Sequence, residues 1–353
     1  MKIATIIGAR PQFIKSTLLS REIRKYFSEI IIHTGQHYDF ELSKIFFDEL
    51  SLIDPDYNLE IGSGSHATQT GNMLIKIEEI LLKEKPDYTL VFGDTNSTLA
   101  GALASKKIGI PVIHVEAGMR NNDEYKPEEI NRILIDHISN WLFAPTETAV
   151  NNLRREGLLK NVVLTGDVNY DLLKYNLESI KEQDSFRKFK LTPKNYYLLT
   201  IHKSINTDSK DRLTNILKNI VEIKKSVLFP VHPRTLKEIK KKGLLRLIEN
   251  SNIFITKPLG FMEFLNLLYH SDKVITDSGG VQKDAYCLGI PCITLRETEW
   301  TETVESGWNI VIDSLSDKFF KVIDDFNPST EQKEIFGDGY AYKKIVKTLN
   351  QGK

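Results

Sequence analysis

Short apolar runs alternate with amphipathic stretches of helical period along most of the chain. The runs predicted as strands are residues 2–7, 29–33, 88–92, 111–115, 141–144 and 162–165, and then 196–200, 226–230, 253–255, 273–276 and 292–295. Helices are predicted between them, for example at 13–26, 67–85 and 97–107. This alternation is typical of α/β proteins that are built on parallel sheets.

A charged segment divides this series in two. Residues 175–194 are rich in Lys, Glu and Asp and have little strand character, so they predict a helix and connector between two doubly wound, Rossmann-like units. We predict an N-terminal domain at 1–168, a C-terminal domain at 169–338 and a last helix at 339–353 that crosses back to the first domain. Two such sheets facing each other would leave a ligand cleft at the carboxyl ends of their strands.

Composition excludes several classes of function. The 47 basic and 47 acidic side chains balance, so no nucleic-acid partner is expected. Cys287 and Cys292 are the only cysteines, which favours a reducing compartment, and the spacings typical of zinc sites are absent. No apolar run approaches the ~20 residues that cross a bilayer. The first run is also too short for a secretion signal. We therefore expect a cytoplasmic protein without a metal or a membrane partner.

The segment 276–280, Thr-Asp-Ser-Gly-Gly, follows a predicted strand and precedes a predicted helix at 281–288. Glycines allow the backbone to approach a ligand, Ser278 is expected to cap the helix, and the N–H groups of a helix start favour an anion. The segment therefore predicts a phosphate site, with an ordinary strand-to-helix turn as the alternative.

A second candidate loop, residues 8–15, follows the first strand. Gly8 permits a sharp turn and Pro11 suits a first helical turn, which places Arg10 and Lys15 on or beside the helix start. The loop is neither a Walker loop nor a G-x-G-x-x-G motif, so neither ATP nor NAD is predicted. The alternative is a plain surface loop.

Three carboxylates lie where an α/β fold places ligands. Asp94 and Glu116 each follow a strand, and Glu128 lies in the first turn of a helix after Pro127. Such groups supply acid–base catalysis if burial separates their pKa values. The alternatives are that Asp94 caps a helix and that Glu128 only complements the helix dipole.

Two histidine loops follow strands in the second half, His202-Lys203 and the segment 231–234 with His232 and Arg234. A histidine titrates near neutral pH, so these loops are candidates for contacts to a ligand. The other histidines are expected to be structural: His33, His37, His66, His114, His137 and His270.

Taken in order, these and several further motifs resemble the non-hydrolysing UDP-N-acetylglucosamine 2-epimerases. The motifs are 8–11 (GARP) with Lys15, 33–37 (HTGQH), 93–95 (GDT), 114–118 (HVEAG), 127–132 (PEEINR), 145–147 (PTE), 232–233 (HP), 277–282 (DSGGVQ) and 336–339 (FGDG). The resemblance runs from residue 1 to the C-terminus, and the ordered set is far more specific than any single motif.

The resemblance implies a glycosyltransferase-B type fold in which the second domain holds most of the UDP. By motif position, Ser278, Gly279 and Gly280 would bind the diphosphate, and Asp284 would hold the ribose hydroxyls. Arg10 and His202 would lie near the diphosphate and sugar, and Arg234 belongs to the same expected set of substrate contacts. The positions matching the family's catalytic and active-site residues are Lys15, Asp94, Glu116, Glu128 and His202.

The implied reaction inverts C2 of a UDP-HexNAc by expelling UDP, forming a 2-acetamidoglucal and adding UDP back on the other face. It uses neither a metal nor a nicotinamide cofactor, and the resemblance further implies a homodimer that serves polysaccharide precursor synthesis. A glycosyltransferase on the same scaffold, a hydrolysing epimerase and a non-catalytic nucleotide-sugar sensor are the alternatives.

The chain departs from the family at three places. Family members usually carry Glu-Glu at 283–284, Thr-Glu-Arg-Pro-Glu at 298–302 and His-Arg-x-Glu-Asn at 202–206, whereas this chain has Lys283-Asp284, Trp300 in place of the arginine, and Lys203-Ser204-Ile205 after His202. Together with the segments 11–13, 64–66 and 307–309, the change at 298–302 resembles the branch that acts on UDP-2,3-diacetamido-2,3-dideoxyglucuronate. The substrate expected from the sequence is that sugar nucleotide or UDP-GlcNAc.

Overall fold

The structure, a computed structural model, describes residues 1–36, 53–121, 123–295, 297–298 and 300–351. His37, Glu299 and the side chain of Arg10 lie outside the described part. The described residues form two compact units, residues 1–175 with 334–353 (unit 1) and residues 176–333 (unit 2). The domain boundaries expected near 168 and 338 stay predictions.

Unit 1 is built on a parallel sheet that has seven strands in the described residues, in the order β3-β2-β1-β4-β5-β6-β7. The strands are β1 (Lys2–Ile7), β2 (Ser28–His33), β3 (Tyr57–Asn58), β4 (Tyr88–Phe92), β5 (Val112–Val115), β6 (Trp141–Ala144) and β7 (Val162–Leu164). β1 pairs with β2 from Lys2 opposite Ser28 to Ile7 opposite His33, and β4 pairs with β1 on its other side. The nearly continuous apolar sequence of β1 reflects burial on both faces of the sheet.

Helices cover both faces of this sheet. They are α1 (Arg10–Ile23), α2 (His66–Glu84), α3 (Asn96–Lys107), α4 (Pro127–Ile138), α5 (Glu147–Arg155) and α6 (Val168–Tyr175). Because side chains alternate across a strand, Ile3 and Ile7 pack with Phe13 and Leu19 of α1, whereas Ile6 packs on the other face with residues of α2 and α3.

Unit 2 repeats this design with a parallel sheet whose described strands run β10-β9-β8-β11-β12-β13. The strands are β8 (Tyr196–Thr200), β9 (Ser226–Pro230), β10 (Ile253–Thr256), β11 (Lys273–Thr276), β12 (Cys292–Leu295) and β13 (Asn309–Ile312). In both sheets the chain reverses its direction of strand addition at the centre, next to β1 in unit 1 and next to β8 in unit 2. Loops at the carboxyl ends of those strands are where this type of sheet binds ligands.

The helices of unit 2 are α7 (Leu177–Glu182), α8 (Ser204–Thr207), α9 (Lys210–Val221), α10 (Pro233–Lys241), α11 (Leu245–Ile248), α12 (Phe261–His270), α13 (Gly279–Cys287), α14 (Thr301–Glu305) and α15 (Phe319–Asp325). One core cluster joins strand residues such as Leu199, Phe229 and Ile275 to Leu213 and Leu217 of α9.

The last described helix, α16 (Ala341–Gln351), belongs to unit 1, where it packs against α1 and α6. Its Ile345, Val346 and Leu349 join the same core cluster as Leu19. The buried carboxylate of Asp171 in α6 caps α16, because it accepts hydrogen bonds from the backbone N–H groups of Ala341 (3.0 Å) and Tyr342 (2.7 Å). Within the described residues, no helix combines the length and apolar character that a bilayer span requires.

Candidate active site

In unit 1, the loop after β1 is held to the end of β4 by a buried glutamine. The Gln12 side chain accepts hydrogen bonds from the N–H groups of Gly8 (2.8 Å) and Ala9 (3.0 Å) and donates to the carbonyl of Phe92 (2.9 Å). Gly8 has no room for a side chain, since a Cβ there would lie 2.0 Å from Thr34 Oγ1. The loop after β1 is therefore fixed against the neighbouring strand end.

Lys15 and Glu116 form an ion pair between their Nζ and Oε2 atoms. Lys15 comes from the second turn of α1, whereas Glu116 follows β5 and has a left-handed backbone with φ of +73°. Gly93, after β4, lies beside the pair, because a Cβ there would be 3.4 Å from Lys15 Nζ. Two of the predicted catalytic residues thus meet beside the end of β4. A non-glycine residue in the left-handed region, such as Glu116, is itself uncommon.

Asp94 is paired with an arginine and does not cap the helix that follows it. The cap is Thr95, whose hydroxyl accepts from the N–H of Thr98 at the start of α3. Arg132 of α4 donates to Asp94 Oδ2 from Nε (2.9 Å) and from its terminal NH2 nitrogen (2.7 Å). The helix-cap alternative for Asp94 is wrong, and its carboxylate instead has a fixed position beside a guanidinium.

Glu128 lies in the first turn of α4, as the sequence predicts. Glu129 shares that turn but has different surroundings. Glu128 is exposed. Glu129 is buried, pairs with Arg132 at 3.1 Å and accepts from the N–H of Asn121. Glu129 therefore has a structural explanation, and Arg132 links it to Asp94.

Sequence reasoning assigned no role to Arg132 or Gln12. Arg132 stands in the 127–132 motif three residues after Glu129, a helical spacing that predicts the pair with Glu129. Its contact to Asp94 joins residues far apart in the chain, and no local pattern reports it.

His114, expected to be structural, lies buried between two polar partners. Its Nδ1 is 2.7 Å from Asp136 Oδ1 and its Nε2 is 2.9 Å from the carbonyl of Gly93. Burial alone would raise the pKa of Asp136, but His114 and Arg120 outweigh it and hold that pKa below its usual value. These contacts link the loop after β4 to α4.

In unit 2, Asp277 organises the loop that carries His202. Its buried carboxylate accepts from the N–H groups of His202 (3.0 Å) and Lys203 (3.0 Å) and from the amide of Asn206 (3.1 Å). The imidazole Nδ1 of His202 lies 3.2 Å from the same carboxylate. Burial raises the pKa of Asp277, but the hydrogen bonds from His202 and Asn206 outweigh it and lower that pKa. The first residue of the 277–282 motif thus holds the predicted histidine.

The predicted phosphate segment lies at the start of α13, as expected, with one correction. Ser278 occupies the N-cap position, but its hydroxyl makes no cap hydrogen bond, so the expected capping role is wrong. Its backbone N–H instead donates to Thr276 Oγ1 (2.9 Å), which orients the turn. Gly280 has space around it, since the nearest atom to an added Cβ is Ser278 Oγ at 3.9 Å. The unused cap and the open glycine are compatible with an anion at this helix start.

The other predicted substrate contacts in unit 2 have different surroundings. Asp284 lies in the second turn of α13 and is partly buried. Arg234 is engaged by both carboxylate oxygens of Asp208, at 2.8 and 2.9 Å, with its side chain 49% exposed. His232 caps α10, and its ring lies 6.4 Å from that of His202. Arg234 is therefore already held by a carboxylate on the surface.

Each unit presents its own chemistry. Unit 1 gathers Lys15, Glu116, Asp94 and Arg132 on loops that follow β4 and β5 or on the helices beside them. Unit 2 gathers His202, Asp277 and the helix start at Gly279. Across the described ranges, no group of three or more His, Cys, Asp and Glu side chains is arranged to hold a metal ion. Cations and a helix start suit an anionic ligand, and carboxylates suit proton transfer.

Comparison with known proteins agrees with this chemistry. Residues 21–350 match the family model described as UDP-N-acetylglucosamine 2-epimerase. A UDP-N-acetylglucosamine 2-epimerase homolog from Methanococcus maripaludis is 54% identical, with 99% of each chain covered. The UDP-2,3-diacetamido-2,3-dideoxy-D-glucuronate 2-epimerase of Pseudomonas aeruginosa is 42% identical, also with 99% of each chain covered.

The same relationship is seen in a solved structure. The crystal structure of the Methanocaldococcus jannaschii UDP-GlcNAc 2-epimerase in complex with UDP-GlcNAc and UDP has a TM-score of 0.90 and 46% identity, and all of both chains is covered. The match extends over both units, so it supports the two-sheet, glycosyltransferase-B type architecture that the sequence predicts. This chain belongs to the UDP-N-acetylglucosamine 2-epimerase family.

Proposed function

We propose that the protein inverts C2 of a UDP-HexNAc by eliminating UDP and adding it back. The observation that carries the proposal is the full-length match to epimerases, one of which binds UDP-GlcNAc and UDP in its crystal structure. The strand-end loops support it, because both units carry at these loops the residue types that the reaction requires. The product would serve polysaccharide precursor synthesis.

Unit 2 is proposed to bind the nucleotide. Ser278, Gly279 and Gly280 bind the diphosphate at the start of α13, where N–H groups and the helix dipole favour negative charge. Asp284 accepts from the ribose hydroxyls. His202, oriented by Asp277, contacts the diphosphate or the sugar, and Arg234 supplies positive charge. Arg10, the first residue of α1 in unit 1, is proposed to supply further positive charge to the diphosphate.

Unit 1 is proposed to carry the proton transfers. A carboxylate removes the C2 proton while the C1–O bond breaks, so the C–H electron pair becomes the C1=C2 double bond and the C–O pair leaves with UDP. The 2-acetamidoglucal then receives a proton on the opposite face of C2 as UDP re-forms the C1–O bond. Asp94, Glu116 and Glu128 are the candidates for the base and the acid, and Lys15 holds Glu116 in place.

Two substrates are consistent with this chemistry, UDP-GlcNAc and UDP-2,3-diacetamido-2,3-dideoxyglucuronate, since relatives at 46% and 42% identity are named for each. The decisive experiment incubates the protein in deuterated water with each nucleotide sugar and follows C2 by proton NMR. Deuterium at C2 together with the C2 epimer identifies the substrate. If neither compound takes up deuterium or forms an epimer, the proposal is contradicted. Sugar transfer to an acceptor without an epimer would indicate a glycosyltransferase, and free ManNAc with UDP a hydrolysing epimerase.

We further propose a cytoplasmic homodimer. Support for the dimer comes from α4, where the apolar Ile130, Ile133 and Leu134 are 46%, 37% and 46% exposed, with Tyr125 just before the helix 87% exposed. A patch of this kind on one helix face is typical of a protein interface. The two free cysteines, Cys287 and Cys292, support a reducing compartment.

A further inference from the structure

Two departures from the family pattern, far apart in the sequence, meet in the structure. Lys283 stands where the family usually has Glu, and Trp300 stands where it usually has Arg. The Lys283 ammonium lies 4.8 Å from the centroid of the Trp300 ring. Both side chains are buried, with exposed fractions of 3% and 4%. A desolvated ammonium over an indole is a favourable cation–π pair, so the two departures are physically coupled.

The same tryptophan is bonded to the predicted phosphate segment. Its indole Nε1–H donates to the carbonyl of Gly279 at 3.0 Å, and Gly279 is the first residue of α13. A second connection is made by Thr298. Its hydroxyl donates to the side-chain oxygen of Gln282 in α13 and accepts from the backbone N–H of Trp300. Thr298 and Trp300 are therefore both hydrogen-bonded to the first turn of α13.

These contacts restrain the orientation of the peptide group that contains the Gly279 carbonyl. Gly279 has no side chain, and among the described residues its carbonyl is restrained by the hydrogen bond from Trp300 and by the helix itself. Lys283 lies one turn further along α13, and helical side chains point back toward the N-terminal turn, which brings its charge over Trp300 and close to the helix start. With the Glu that family members usually carry at position 283, the charge there would be negative.

We propose that Lys283 and Trp300 form a positioning pair that fixes the Gly279 peptide and so holds the diphosphate of a nucleoside diphosphate at the start of α13. The inference rests on the proposed function, which has the diphosphate bind there. Replacing both members by an acidic and a basic side chain would put an ion pair in place of the cation–π pair, so the two positions can be tested as a unit.

The test measures UDP affinity by titration calorimetry for the parent, Trp300→Phe, Trp300→Arg, Lys283→Glu and the double variant Lys283→Glu/Trp300→Arg. Trp300→Phe keeps a ring under Lys283 but loses the indole donor, and we expect UDP to bind roughly tenfold more weakly because the Gly279 carbonyl loses the side-chain donor that orients it. Trp300→Arg places a second buried cation beside Lys283, so its affinity for UDP should fall further. The double variant should recover to within about threefold of the parent.

Trp308→Phe is the matched control, since the indole of Trp308 in the same unit donates to the carbonyl of Thr330, away from Gly279. It should bind UDP within about twofold of the parent. Uridine, which lacks the diphosphate, is titrated by NMR in parallel: a positioning role weakens UDP binding and spares uridine, whereas general damage to unit 2 weakens both.

Equal UDP affinity in the parent and Trp300→Phe, or a double variant that binds no better than Trp300→Arg, overturns the positioning pair. If circular dichroism shows that Trp300→Phe does not fold, the comparison of UDP affinity between the double variant and Trp300→Arg decides the question. A parent that does not bind UDP instead contradicts the proposed function, so the two failures are distinguishable.

Discussion

At the scale of single residues, neighbouring acidic side chains have different surroundings. Two nitrogens of the Arg132 guanidinium contact the Asp94 carboxylate, and Thr95, not Asp94, caps the helix that follows. Glu116 is held by Lys15, while Glu128 is exposed. A carboxylate held in one orientation is ready for proton transfer without further ordering, which favours Asp94 and Glu116 as groups whose positions matter to the rate.

Replacing the proposed acid–base groups should slow deuterium exchange at C2. We expect Asp94→Asn, Glu116→Gln or Glu128→Gln to lower the initial rate by about 10²–10⁴-fold, the usual range for a general acid or base. The readout is the NMR exchange assay, and Glu124→Gln, an exposed glutamate in the same segment, is the control that should retain the parent rate. Near-parent rates in all three variants would show that the acid–base assignment is wrong.

Two glycines offer a matched pair for stability. Gly8→Ala would put a Cβ 2.0 Å from Thr34 Oγ1 and 2.2 Å from Ser97 Oγ, so we expect it to lower the free energy of unfolding by about 1–3 kcal/mol. Gly71 lies within α2 with no atom within 4 Å of an added Cβ, and Gly71→Ala should raise it by about 0.5–1 kcal/mol. Urea unfolding gives both values. A Gly8→Ala protein as stable as its parent would mean that the loop after β1 relaxes freely.

At the scale of elements, the strands that carry an apolar run of their own were predictable, and two strands without a clear run were not. The predicted bounds are those of β1, β4, β6, β8, β9, β11 and β12, because each is mostly buried and rich in apolar side chains. β3 is two residues long, and β13 pairs with β12 through only four residues of mixed burial. Such strands owe their existence to the neighbouring strand, so no local pattern predicts them.

The cap on α16 makes the stability of unit 1 depend on pH. Burial, outweighing the hydrogen bonds from Tyr342 and Ala341, raises the pKa of Asp171 to about 7. In the unfolded chain this group ionises near its ordinary value, so between about pH 4 and 7 the folded state binds more protons than the unfolded state. The contribution of Asp171 is therefore most favourable at low pH and is lost as the pH rises to about 7.

Asp171→Asn does not titrate and isolates this contribution. The free energy of unfolding of the parent, minus that of Asp171→Asn, should fall as the pH is raised from about 4 to 7 and then level off, by at most about 4 kcal/mol at ~1.4 kcal/mol per pKa unit. Urea unfolding at several pH values measures it. A difference that stays constant across this range would show that Asp171 keeps an ordinary pKa.

At the scale of the whole molecule, the sequence predicted a family and an α/β architecture. The contacts between side chains of the site were seen only in the structure. The family was predictable because its motifs are local and ordered. The Asp94–Arg132 and Lys283–Trp300 pairs were not, because each joins two motifs whose contact depends on how the sheet is assembled. Lys283 and Trp300 were recognised separately as departures, and only their contact explains them together.

The proposed homodimer belongs to this scale as well. Ile130→Glu/Leu134→Glu places charges on the exposed apolar face of α4, so we expect the double variant to sediment as a monomer where the parent sediments as a dimer. Leu159→Glu is the control, because Leu159 is 71% exposed in the same unit and lies outside α4. A parent that is monomeric, or a double variant that remains dimeric, contradicts an interface on α4.

Unit 1 is interrupted by unit 2 in the chain, and this has a consequence for synthesis on the ribosome. Residues 176–333 are translated before α16, so unit 2 can complete its fold while unit 1 still lacks Ile345, Val346 and Leu349. At ~5–20 residues per second, the interval lasts roughly 10–30 s. During it the part of α1 that packs against α16 is uncovered, and we expect the nascent chain to bind a chaperone until α16 has been synthesised.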